Sequence, residues 1–98
     1  MNITKKQEND TLEIAVEGRI DTTTAPKLGE EIQNIGDDVQ KLVLNLEKLD
    51  YISSAGLRII LSAQKTFSAK GGMKIINVND IVKEIFEVTG FTDILDIE

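Results

Sequence analysis

The pattern of apolar and polar residues predicts two short strands near the N-terminus. Ile3 to Lys6 is a short first run, ended by the polar turn Glu8-Asn9-Asp10. Leu12, Ile14 and Val16 then alternate with Glu13, Ala15 and Glu17, the period-two pattern of a strand, and Gly18 breaks the run. So short a gap predicts a hairpin. Beyond it the period lengthens. Ala25, Leu28, Ile32 and Ile35 fall at i, i+3, i+7 and i+10, one face of a helix. Thr22-Thr23-Thr24 and Pro26 mark its start, and Gly36 is placed to end it. Leu42, Leu44 and Leu46 alternate with Val43 and Asn45 as a further strand.

A second helix is predicted from about Ala55 to Ala69, where Leu57, Ile60, Leu61 and Phe67 recur at helical spacing, with Gly71-Gly72 as the following turn. Met73 to Val78 is the next strand. Asn79 or Asp80 caps a third helix, whose Ile81, Val82, Ile85 and Phe86 share a face and which Thr89-Gly90 closes. Phe91 to Ile97 alternates loosely and fits either a last strand or a short helix.

The order β-β-α-β-α-β-α predicts a single α/β domain. Strands joined through helices run parallel, so the sheet is mainly parallel, of four to five strands with an antiparallel first strand at its edge and three to four helices. Residues that follow parallel strands gather at one rim, where α/β proteins place their binding sites. Asp21, Ser53-Ser54 and Asn79-Asp80 each follow a strand and are expected at one end of the molecule.

The densest chemistry lies in Asp50-Tyr51-Ile52-Ser53-Ser54-Ala55-Gly56-Leu57-Arg58, where two hydroxyls meet the start of the second helix. Serine is a common N-cap, and on position alone Ser53 or Ser54 is a structural cap. The unpaired N–H groups of the first helical turn and the helix dipole also favour an anion there. Phosphate added to such a serine would be held locally while the surface around it changes character. On the second helix, Leu57, Ile60, Leu61 and Phe67 span an arc of roughly 120°. Ile59 lies outside that arc with Ala55 and Ala63. It either packs against a neighbouring helix or forms a small apolar contact patch rimmed by Arg58 and Ser62.

Composition removes several classes of function. The 98 residues, 41% of them hydrophobic, suffice for one modest core, and no run is long enough to span a membrane. Met1-Asn2-Ile3-Thr4-Lys5-Lys6 lacks the apolar stretch of a secretory signal, so a cytoplasmic location is expected. The chain has no cysteine and no histidine. Disulfides, thiolate metal sites, the usual general base and nearly every zinc geometry are thereby excluded, and no metal or cofactor is expected. Eleven basic against seventeen acidic residues give a net charge of −6. That sign suits neither nucleic acid nor anionic lipid, and a basic protein partner fits better. A monomer is the simplest state for such a chain.

Two motifs resemble those of a known family. Gly18-Arg19-Ile20-Asp21 is similar to the Gly-x-Leu/Ile-Asp of STAS domains (sulfate transporter and anti-sigma factor antagonist), and Ser53-Ser54-Ala55-Gly56-Leu57 is similar to their Asp-Ser-Ser/Thr-Gly-Leu. Leu42-Val43-Leu44-Asn45-Leu46, Gly71-Gly72 and Thr89-Gly90-Phe91 match the family's layout, so the resemblance covers essentially residues 1–98 as one domain. It is to the stand-alone antagonists, and it implies a phosphorylation site at the serine two positions before the motif glycine. That serine is Ser54, with Ser53 a second candidate ranked below it. The implied partner is an anti-sigma factor that is also a serine kinase. It binds the unphosphorylated form and releases the phosphorylated one, freeing and recapturing a sigma factor. A metal-dependent serine phosphatase acting on phospho-Ser54 resets the cycle. The partner surface implied by the resemblance and the helix geometry comprises Asp21, Thr22, Ser53, Ser54, Ala55, Gly56, Arg58, Ile59 and Ser62. For Asp21 a turn-capping role is an equal expectation. Ser53 departs from the sporulation-type members, which have Asp there, and the change bears on the efficiency of phosphorylation.

Other classes fare worse. Stand-alone STAS domains also serve as constitutive subunits of lipid-transport complexes with an ATP-binding cassette protein, which is the alternative function. An enzyme using Ser54 as nucleophile would lack histidine, and Ser53-Ser54-Ala55-Gly56 is not a Gly-x-Ser-x-Gly elbow. Lys65 and Lys70 project on the exposed side of the helix, away from any Ser-Lys arrangement. No Gly-rich phosphate loop argues for a nucleotide sensor. No catalytic residue is assigned.

Overall fold

The computed structural model describes residues 1–98. Strand β1 (Asn2–Glu8) and strand β2 (Thr11–Ile20) form the expected antiparallel hairpin, turned at Asn9, whose φ of 56° is left-handed. Helix α1 (Ala25–Gln33) leads to β3 (Lys41–Asn45), which pairs parallel to β2 over Thr11–Ala15. Strand β5 (Gly72–Ile76) extends the sheet beyond β3, also parallel, giving the order β1-β2-β3-β5 with β1 at the edge.

A fifth strand was absent from the sequence pattern. β4 (Leu49–Ile52) starts three residues after β3 and pairs parallel with the far end of β2, from Gly18 to Ile20. Four residues are too few for alternation to register, and they overlap the serine motif. Nor does Gly18 end β2. Its φ of +100° is a conformation open to glycine at little cost, and the register shifts between Gly18 and Arg19. The strand bends there and continues, so β3 and β4 pair with successive stretches of one long strand.

The sheet buries one face. Leu12, Ile14, Val16, Leu42, Leu44, Met73 and Ile75 point into the core, while Glu13, Ala15, Val43 and Lys74 between them stay partly exposed. Helix α2 (Ser54–Ser68) packs against β4, β5 and α1, burying Leu57, Ile60, Ala63 and Phe67. Helix α3 (Asp80–Val88) packs against β4 and the following 3-10 turn, Phe91–Asp93. The apolar face assigned to α3 is narrower than its sequence implies. Val82 and Phe86 are buried and Ile85 is half-buried, but Ile81 is 62% exposed. Ile81 lies about 100° from Val82 around the helix, which turns it out of the contact.

Both alternatives for the C-terminal segment hold in part. Phe91–Asp93 is helical, with Phe91 stacked on Phe86 at 6.5 Å, and Ile97 then forms a single parallel bridge to Ile75. The Ile75 N–H donates to the Asp96 carbonyl and Glu98 N–H donates back to Ile75. Lys74 pairs with Glu98 at 3.0 Å and its ammonium pKa is raised, first by that hydrogen bond and then by the carboxylate's charge.

Candidate functional site

The site is built where β2 and β4 end side by side. Ile20 pairs with Ile52, and the Ser53 N–H donates to the Ile20 carbonyl at 2.7 Å. Asp21 and Ser53, thirty-two positions apart, are thereby the next residues of two adjacent parallel strands. Each opens the path to a helix.

On the β4 side the two serines divide their roles. Ser53 is extended (φ −89°, ψ 174°) and is the N-cap of α2, its hydroxyl accepting from the Gly56 N–H at 3.4 Å. Ser54 is the first helical residue, exposed, and its side chain makes no hydrogen bond within the chain. Gly56 lies against the strand ends. A Cβ there would stand 2.6 Å from Ile20 Cγ2 and 2.7 Å from Ile52 Cγ1, so glycine lets the first turn of α2 settle onto β2 and β4. Ala55 is half-buried; Arg58 and Ser62 are exposed.

On the β2 side, one oxygen of Asp21 accepts from the N–H groups of Thr23 (2.9 Å) and Thr24 (3.0 Å). The Thr24 hydroxyl accepts from the Asp21 N–H and donates to the Arg19 carbonyl, both at 2.8 Å. The turn-capping expectation for Asp21 is therefore met, one turn ahead of α1. Thr24 is the N-cap by position but its side chain bonds no helical N–H. The Thr24 N–H is the chief reason that the Asp21 carboxyl titrates below its ordinary 3.8. Burial opposes this, and the Thr23 N–H, Thr24 hydroxyl and Arg19 charge add to it. Thr22 is exposed and free of such contacts.

Sequence reasoning missed one neighbour of the site. Arg19 and Tyr51 face each other across the β2–β4 pair, with the guanidinium 4.5 Å from the ring centroid. Only the unseen strand β4 brings them together. The short run Leu49-Asp50-Tyr51-Ile52, with Leu49 and Ile52 buried, was the available signal.

One expectation changes, and one choice between alternatives is made. Asn79-Asp80 does not join the serines. Asn79 caps α3, accepting from the Val82 N–H at 2.9 Å, and its amide donates to the carbonyl of Leu49, the first residue of β4. Ser53 lies beyond the last residue of β4, roughly 13 Å further along at about 3.3 Å per residue. The added strand carries the serines outward. Ile59, in turn, is half-buried and packs toward α1, where a Cβ on Gly29 would meet its Cδ1 at 2.9 Å. It lines a groove of about 260 Å³ between α1 and α2 with Gly29, Ile32, Ser62 and Thr66. Packing against a neighbouring helix accounts for most of its surface, and part of it stays exposed.

The family profile described as the STAS domain matches residues 2–98. This chain belongs to the STAS family. Among relatives, this STAS chain is 29% identical over 98 residues to the anti-sigma-B factor antagonist of Bacillus subtilis, covering 99% of this chain and 90% of that protein. Its fold superposes on a crystal structure of an anti-sigma factor antagonist from Mycobacterium paratuberculosis with a TM-score of 0.88, at 21% identity, over 98% of this chain and 83% of that one. It also superposes on the Bacillus cell fate determinant SpoIIAA in its phosphorylated form, with a TM-score of 0.76 at 17% identity, over 99% and 91% of the two chains. These superpositions establish a shared STAS fold. No helix of this chain is long and apolar enough to cross a membrane, and no group of three or more acidic side chains is arranged to hold a metal ion.

Proposed function

We propose that this STAS domain is an anti-sigma factor antagonist that works by reversible binding, with Ser54 as its phosphorylation switch. The observation that carries the reading is the division of labour between the serines. Ser53 supplies the cap, so the exposed Ser54 hydroxyl is left free for a kinase at the first turn of α2. The name borne by the Bacillus subtilis relative supports the antagonist role.

The partner is an anti-sigma factor with serine kinase activity, which engages Asp21, Thr22, Ser53, Ser54, Ala55, Gly56, Arg58, Ser62 and the exposed part of Ile59. Phosphate adds about −1.5 to −2 of charge to a chain already at −6. The N–H groups at the start of α2 accommodate that charge locally, so the fold is kept. Its cost falls on the interface, where a buried phosphate without basic partners is expensive. A metal-dependent serine phosphatase then removes it. Ser53 in place of the aspartate of sporulation-type members keeps the cap, since both residue types cap helices well.

The test is a pull-down from host lysate with the unaltered chain, Ser54→Ala and Ser54→Asp as baits. Capture of a kinase-like anti-sigma factor by the first two but not the third is the expected result. Equal capture of one ATP-binding cassette subunit by all three would overturn the switch and identify a constitutive subunit.

A further inference from the structure

Arg58 stands four residues after Ser54, one turn along the same face of α2, and both are exposed. Every helical Cα–Cβ bond tilts toward the N-terminus, so the Arg58 side chain leans back over the turn that carries Ser54. Arg58 is uncommitted. The chain's two ion pairs join Lys5 to Glu31 and Lys74 to Glu98, and neither involves it. The other arginine near the site, Arg19, is engaged with the Tyr51 ring and lies beside Asp21. Between Lys48 and Lys65, Arg58 is the only cation.

We infer that Arg58 is the internal partner of the phosphate on Ser54, so that phosphorylation both adds negative charge and withdraws a cation from this part of the binding surface. The inference rests on Ser54 being the phosphorylated residue. An acidic group four residues before a basic one is the favourable order on a helix, and the guanidinium fork matches two phosphate oxygens. A partner that meets Arg58 in the unphosphorylated state therefore loses an attraction as well as meeting a repulsion. Arg58 is a positioning residue in this scheme: it holds the phosphate and takes no part in its transfer.

Phosphoserine installed at position 54 during translation makes the test independent of any kinase. Phosphorus NMR then follows the second ionisation of the phosphate, ordinarily at about pH 6, in the unaltered chain, Arg58→Gln and Arg58→Lys. The pairing predicts an ionisation about 0.5 unit lower in the unaltered chain than in Arg58→Gln, about threefold in proton affinity, with Arg58→Lys between them. Coincident curves for the unaltered chain and Arg58→Gln, with matching circular dichroism, would overturn it. The phosphate would then be held by backbone N–H groups alone. The absence of phosphate on Ser54 in host cells would instead remove the phosphorylation reading, whatever the titration gave.

Discussion

At the scale of single residues, neighbours in sequence perform unlike tasks because of a one-residue difference in helical position. Ser53 is spent on the Gly56 N–H, and Ser54 is not spent at all. Sequence restricted the cap to these two serines, but choosing between them required the backbone angles at residue 53. Asp21 is similarly decided by geometry, since its carboxylate ties down the turn into α1 through Thr23 and Thr24. Its lowered pKa has a consequence for stability. A depressed carboxyl pKa contributes stability above the ordinary value of 3.8, and that contribution is lost as pH falls through the folded-state value. Asp21→Asn should unfold at lower urea than the unaltered chain at pH 7, and the gap should narrow below pH 3.8. A gap unchanged from neutral to acid pH would show that the charge contributes nothing.

At the scale of elements, the serine motif works because α2 begins hard against the ends of β2 and β4. Gly56 is the contact. Alanine would restore at most about 1 kcal/mol of helix propensity. Its Cβ would intrude on Ile20 and Ile52, which are 0% and 2% exposed and have nowhere to move. Overpacking of this kind costs about 1–3 kcal/mol, so Gly56→Ala should be net destabilising in urea titration. An increase in stability would mean that α2 shifts away from the strands without penalty. Strands β2, β3 and β5 and all three helices were legible because each repeats its apolar period, and β1 because a short polar gap joined it to β2 as a hairpin. β4 was not, since four residues hold two buried positions, Leu49 and Ile52, which fit no strand period on their own. The bend at Gly18 was misread for a related reason: a glycine in a strand pattern marks either an end or a bulge, and pairing with β4 made it a bulge.

At the scale of the molecule, the buried side chains form one cluster of 21 hydrophobic residues with no polar member, while Ser54, the proposed switch, is exposed. Phosphate on the exposed Ser54 hydroxyl would stand outside that core. The phosphorylated chain should therefore keep its far-ultraviolet circular dichroism and melt within a few degrees of the unmodified chain; lost helicity would replace the surface switch with refolding. The sequence by itself determined the α/β class, the antiparallel first strand, the presence of three helices and the short list of hydroxyls, because each follows from local periodicity and local turn chemistry. Tertiary structure decided that Asp21 and Ser53 are adjacent, that Arg19 covers Tyr51, that Asn79 stands apart from the serines, and that Ile59 faces α1. Each of these depends on which strands pair and in what register, and that is fixed by burying the whole apolar face at once rather than by any one segment.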